Sequence, residues 1–229
     1  MKGVERRGYE MIVRVADFMD ARSADFPAES AGGLLLTALR DAIDIIEEKA
    51  AEQSSGLSIR EEGTALRSVA RRNLRNQMEA ISRTAVALAI SGTTTGLENR
   101  FQMPEGSSDQ TLINAARAFA EDALPIKGRF TRFGLPADFL DNLNMAITEF
   151  EQAVNKQNLG KEMHVAATTA IDEALERAIN IVRQLNAIVR NKYADNTPTL
   201  AVWESARHIQ RSPQRATEPE QPPPAPPKP

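Results

Sequence analysis

The distribution of proline leaves this chain few alternatives to long helices. Of thirteen prolines, eight lie beyond residue 212, and none falls between Pro27 and Pro104 or between Pro136 and Pro198. A proline inside a helix removes a hydrogen bond and clashes with the preceding turn, so Pro27, Pro104, Pro125, Pro136 and Pro198 mark the edges of elements. The apolar spacing between them predicts helices over about 6–23, 31–54, 58–90, 109–132, 137–157 and 161–194. No run of β-branched and aromatic residues alternates with period two, so the fold is predicted to be all-α. Gly56 and Gly160 are each expected to end one helix before another begins. Ser107, three residues before Gln110, has capping-box spacing, and Pro125 is expected to bend the helix it sits in.

The two halves read as copies of one unit. Leu35, Leu39, Ala42, Ile46 and Ala50 form an apolar stripe, and 104 positions later Phe139, Leu143, Ala146, Phe150 and Val154 repeat it. Gln53 and Gly56 match Gln157 and Gly160 at the same shift, while Met11, Ile12, Val15 and Phe18 match Leu112, Ile113, Ala116 and Phe119 more loosely. The expected architecture is a six-helix antiparallel bundle of two duplicated three-helix units, 1–92 and 109–210, joined by a linker at 93–108. A short helix closes the second unit, and a disordered Pro-rich tail follows over 211–229. In the last long helix, Ala167, Ile171, Ala174, Ala178, Ile181, Leu185 and Ile188 keep a four-three spacing, the period of a coiled-coil seam.

Chemistry is sparse. Zero cysteines exclude disulfides, a thiol nucleophile, iron–sulfur clusters and Cys-ligated zinc. The two histidines, His164 and His208, lie far apart, and no Glu-x-x-His occurs to build a di-metal bundle site. No phosphate-binding glycine loop and no nucleophile elbow can be read. The expectation is therefore no enzyme, no cofactor and no metal. A net charge of −3 and few aromatic residues weigh against nucleic acid as a partner. No apolar run of about 18 residues predicts a membrane span, and no targeting signal is read, so the cytoplasm is expected.

Two candidate regions remain. Arg60, Arg67, Arg71 and Arg75 share a narrow arc of one predicted helix, open either to an anionic partner or to pairing with Asp41, Asp44, Glu47, Glu48 and Glu52 of the preceding one. Near the C-terminal end, PTLAVWESARHIQ (198–210) reads as a helix placing Leu200, Trp203 and Arg207 on one face, with Trp203 either an anchor to the bundle or a contact awaiting a partner. Arg67, Arg71, Arg75, Trp203 and Arg207 are thus the candidate interaction residues, and PPPAPP in the tail adds a P-x-x-P spacing. Gln77 interrupts the apolar side Leu66, Ala70, Leu74, Ile81, Leu88, and with His164 it is the candidate lining of a pocket between the long helices.

FGLPADFLDNL (133–143) and LNAIVRNKYADNTPTLAVWESARHIQR (185–211) resemble a group of uncharacterised bacterial all-helical proteins, over about 9–210 of the chain. The resemblance implies a shared helical fold and carries no activity, cofactor or catalytic residue. The function expected is a helical scaffold acting on an unknown protein partner as an interaction module or adaptor, monomeric or dimeric. The alternative is a small-ligand binding module.

Overall fold

A computed structural model describes residues 3–92, 96–106 and 108–209. Among them the chain forms α1 (Gly3–Asp20), α2 (Ala31–Ile90), α3 (Leu97–Arg100), α4 (Asp109–Ala123), α5 (Lys127–Arg132), α6 (Phe139–Lys192) and α7 (Thr197–Ala206), with no strand. Single 3₁₀ turns cover Ser23–Asp25 and Leu124–Ile126. The all-α expectation holds. The Pro-rich tail and Ser107 lie outside the described residues; the N-cap of α4 is Ser108, whose hydroxyl accepts from the Thr111 amide at 3.3 Å. Pro125 sits in the 3₁₀ turn that separates α4 from α5, so it ends a helix instead of bending one.

The breaks expected at Gly56 and Gly160 do not exist. α2 runs 60 residues and α6 runs 54, each straight through its glycine. The reason is packing. A Cβ on Gly56 would stand 2.7 Å from the His164 amide nitrogen, and one on Gly63 2.5 Å from that of Gln157. A Cβ on Gly160 would meet the Gly56 carbonyl oxygen at 2.8 Å and the Arg60 amide nitrogen nearer still. The glycines let two antiparallel helix backbones touch. That use outweighs the roughly 0.5–1 kcal/mol a helix-interior glycine costs against alanine.

The contacts divide the chain into two compact units, one of residues up to Glu47 together with those from Ile171 onward, the other Glu48–Ala170. In the first, α1 buries Met11, Ile12, Val15 and Phe18, α2 buries Leu39, Ala42 and Ile46, and α6 buries Ile171, Ala174, Ala178 and Leu185. α7 closes this unit: Trp203 is fully buried, meets Phe18 at a tilt with ring centroids 5.1 Å apart, and donates its ring N–H to the Asn186 Oδ1 at 2.9 Å. In the second unit α4 buries Leu112, Ile113, Ala116 and Phe119, packed with Leu74, Met78 and Ile81 of α2 and Leu143, Ala146 and Phe150 of α6. Phe101, just after α3, meets Phe119 and Phe130 edge-on at 5.3 Å each.

Leu185 keeps its expected place in the α6 seam, but otherwise the four-three register holds only to Ala178. Beyond it Val182 and Val189 are buried while Ile181 and Ile188 are half-buried. An α-helix has 3.6 residues per turn, so a strict heptad stripe drifts about 20° per repeat unless the helices supercoil. Here the stripe steps across instead.

Candidate functional site

The arginines of α2 do not pair with Asp41, Asp44, Glu47, Glu48 or Glu52. Those acids belong to the same uninterrupted helix and cannot face it. The partner is Asp109, in the first turn of α4. Its Oδ2 accepts from Arg67 Nε at 2.7 Å, its Oδ1 accepts from Arg71 Nη1, and Arg67 also donates to Gln157 Oε1 at 3.3 Å. A carboxylate near a helix N-terminus also meets the positive end of the helix dipole. Arg75 stands apart, 4.0 Å from Glu79 one turn along its own helix. So Arg67 and Arg71 form one half-buried cluster and Arg75 is not part of it.

Trp203 and Arg207 are brought together by α7, but for structural work. Trp203 takes the anchoring role described above. Arg207 pairs with Glu204, which also accepts from Arg190 at 2.7 Å. Hydrogen bonding to Arg190, then Arg207, holds the Glu204 carboxyl below its ordinary range. A shallow groove of about 630 Å³ beside them is lined by Arg14, Asp17, Arg22, Val202 and Ser205, with Arg22 stacked 4.1 Å over the Phe18 ring.

Gln77 and His164 fare differently. Met78 takes the buried seam position next to Gln77, which is left half-buried. His164 Nδ1 lies 3.1 Å from the Gln53 carbonyl oxygen, at the glycine crossing where the backbones touch and leave no room for a pocket. A cavity of the second unit lies further along the same two helices. It holds about 470 Å³ and is lined by Leu66, Val69, Ala70 and Asn73 of α2 and by Glu149, Gln152, Ala153 and Lys156 of α6. Leu66 is 46% and Val69 55% exposed, so this is an open groove with apolar surface on its α2 wall, while the lining residues Ala70 and Ala153 belong to the buried core. Leu66 was expected in the core. A second four-three stripe, Met145, Glu149, Gln152, Lys156 and Leu159 on α6, was the signal that could have located the groove. Lys156 Nζ lies 2.5 Å from Glu62 Oε1.

Among the described residues no group of three or more His, Asp or Glu is placed to hold a metal ion, and no helix is long and apolar enough to cross a membrane. No known protein family matches the sequence, and neither a curated protein nor a solved structure matches it.

Proposed function

We propose that the chain is a non-enzymatic protein-interaction module, built from two copies of one helical unit and docking its partner on the α2–α6 groove. The duplication reading is supported by burial. Met11, Ile12, Val15 and Phe18 are buried, as are Leu112, Ile113, Ala116 and Phe119; Leu39, Ala42 and Ile46 are buried, as are Leu143, Ala146 and Phe150. At the 104-residue shift, Phe26 answers to Phe130, and Ala178, Val182, Leu185 and Val189 answer to Leu74, Met78, Ile81 and Ala85, every one buried. The aromatic pair Phe18–Trp203 has its counterpart in Phe119–Phe101. In this reading each sequence repeat, 1–92 or 109–210, supplies its long helix to both compact units.

The observation that carries the docking role is a difference between the copies. Val69, Asn73, Gln152 and Ala153 line the groove, whereas the positions 104 away hold Glu173, Arg177, Glu48 and Lys49. Lys49 is tied to Glu48 and Glu52 at 2.8 Å each. At these four positions one copy is charged throughout and the other uncharged, with Val69 and the neighbouring Leu66 left exposed, and contiguous exposed apolar surface marks interaction sites. A small ligand is the second reading, favoured by a volume within the roughly 300–1,000 Å³ of ligand sites. Because the chain lacks cysteine, Val69→Cys gives a single attachment point for a cleavable photo-crosslinker, with Glu173→Cys as control. A discrete polypeptide adduct at 69 alone is expected. A small-mass adduct favours the ligand, and no adduct at 69 overturns the docking role.

A further inference from the structure

Resting on the docking role of this groove, we infer that its partner is a second copy of the chain, packed antiparallel about a twofold axis at Gln152. A twofold interface brings a surface against itself, so the surface must be self-complementary. The exposed facet of α6 meets that condition. Met145 and Leu159, 57% and 53% exposed, stand seven residues before and after Gln152. Glu149 stands three residues before it and Lys156 four residues after. Laying a second α6 over the first in reverse sets Met145 opposite Leu159 and Glu149 beside Lys156, twice over. A facet selected for an unrelated protein has no reason to exchange charge for opposite charge and apolar for apolar when read backwards.

The surroundings agree. Glu149 makes no ion pair among the described residues, while Lys156 holds only the exposed Glu62, so both are open to a partner's charge. The groove beside the facet, with Leu66 and Val69 on its α2 wall, gives the incoming helix apolar surface to cover. The corresponding positions elsewhere in the chain, Asp41, Ile45, Glu48, Glu52 and Ser55, lack this reversal symmetry, since they place three acids, one of them at the centre, and no base. A twofold contact uses the same facet on both copies, so the assembly closes at two and does not propagate.

Sedimentation velocity and native mass spectrometry of the full chain test this. The parent is expected to be a dimer at tens of micromolar. Glu149→Lys and Lys156→Glu each set like charges face to face at both ends of the axis and are expected to weaken self-association at least tenfold. Mixed together, the two variants are expected to recover a heterodimer, since opposite charges then meet at both ends; circular dichroism verifies that each is folded. Gln152→Cys, on the axis, is expected to form an interchain disulfide under mild oxidation, and Glu173→Cys is not. A monomeric parent, single variants that associate like the parent, or a mixture that does not pair would overturn the inference. A monomeric parent whose Val69→Cys probe still yields a polypeptide adduct removes the second copy and leaves the interaction role; loss of both removes the role as well.

Discussion

Alanine at Gly160 separates two physical effects of opposite sign. In an isolated helix interior, Gly→Ala gains about 0.8–1.0 kcal/mol, because glycine pays more backbone entropy on folding. At Gly160 the new methyl meets the Gly56 carbonyl oxygen at 2.8 Å and the Arg60 backbone more closely still. These are main-chain atoms of a packed helix, so no side chain can rotate away. Overpacking of this kind costs about 1–3 kcal/mol, and the absence of any soft neighbour puts Gly160 toward the upper end. The net expectation is a loss of about 1–2 kcal/mol, or roughly 2–8 °C in melting temperature for a chain of this size. Gly128, a helical glycine of α5 with nothing within 4 Å of its missing Cβ, supplies the control, and its alanine variant is expected to be neutral or slightly stabilised. Urea titrations followed by circular dichroism read both. If Gly160→Ala raises the midpoint as Gly128→Ala does, the two backbones are not in contact and the account of the crossing is wrong.

Three further outcomes are expected. Trp203→Ala removes the side chain that anchors α7 and should cost about 3–5 kcal/mol, whereas Val202→Ala next to it, half-exposed, should change stability little; thermal melts distinguish them. Asp109→Ala leaves Arg67 and Arg71 facing each other without their shared carboxylate and should destabilise by about 1–3 kcal/mol at low salt, while Arg67→Ile, Arg71→Leu and Asp109→Gly made together should be close to neutral. That triple change installs the residues of the other copy, Ile171, Leu175 and Gly8, where Leu175 packs 3.7 Å from the position of a Cβ on Gly8. Burial and hydrogen bonding to Glu47 push Tyr9 up to about 12, and burial with a 2.6 Å bond to Asp25 does the same for Tyr193. The protonated phenols are therefore held more tightly in the folded chain, and the stability they supply is full below pH 10 and lost as pH rises toward 12. Absorbance titration at alkaline pH, folded against denatured, should show both tyrosines ionising late; ionisation near 10 in the folded chain would refute the assignment.

The helices were legible in the sequence because burial writes a periodic stripe: the α1 and α4 core residues, and Leu39, Ala42 and Ile46 of α2, fall where that stripe puts them, whereas Leu36 is buried in place of Leu35 and Ala50 is only half-buried. Glycine was misread, since a residue that ends helices by its backbone freedom also permits helix contact by its lack of a side chain. Only the neighbour across the crossing, His164 for Gly56 or Arg60 for Gly160, tells the two uses apart. Once α2 proved continuous, the acids at 41–52 could no longer oppose the arginines at 60–75, and Asp109 took their place. Met78 against Gln77, and Val182 against Ile181, were each off by one residue, the size of error that a 3.5-residue reading makes on a 3.6-residue helix. The groove escaped because Leu66 reads as part of the core stripe, whereas it stands exposed on the groove wall beside Val69 and Asn73.

The unequal composition of the two compact units sets an order on biosynthesis. Glu48–Ala170 is one uninterrupted stretch of chain, whereas the other unit needs residues from both ends, including Trp203. A growing chain can complete the contiguous unit as soon as its last residues leave the ribosome. The apolar faces of α1 and of the first turns of α2 meanwhile wait for the closing residues of α6 and for α7. At about 5–20 residues per second that wait lasts on the order of 10–30 s. Of the apolar faces of these two units, that of α1 then waits longest for its partners and is the one a chaperone would have most time to cover.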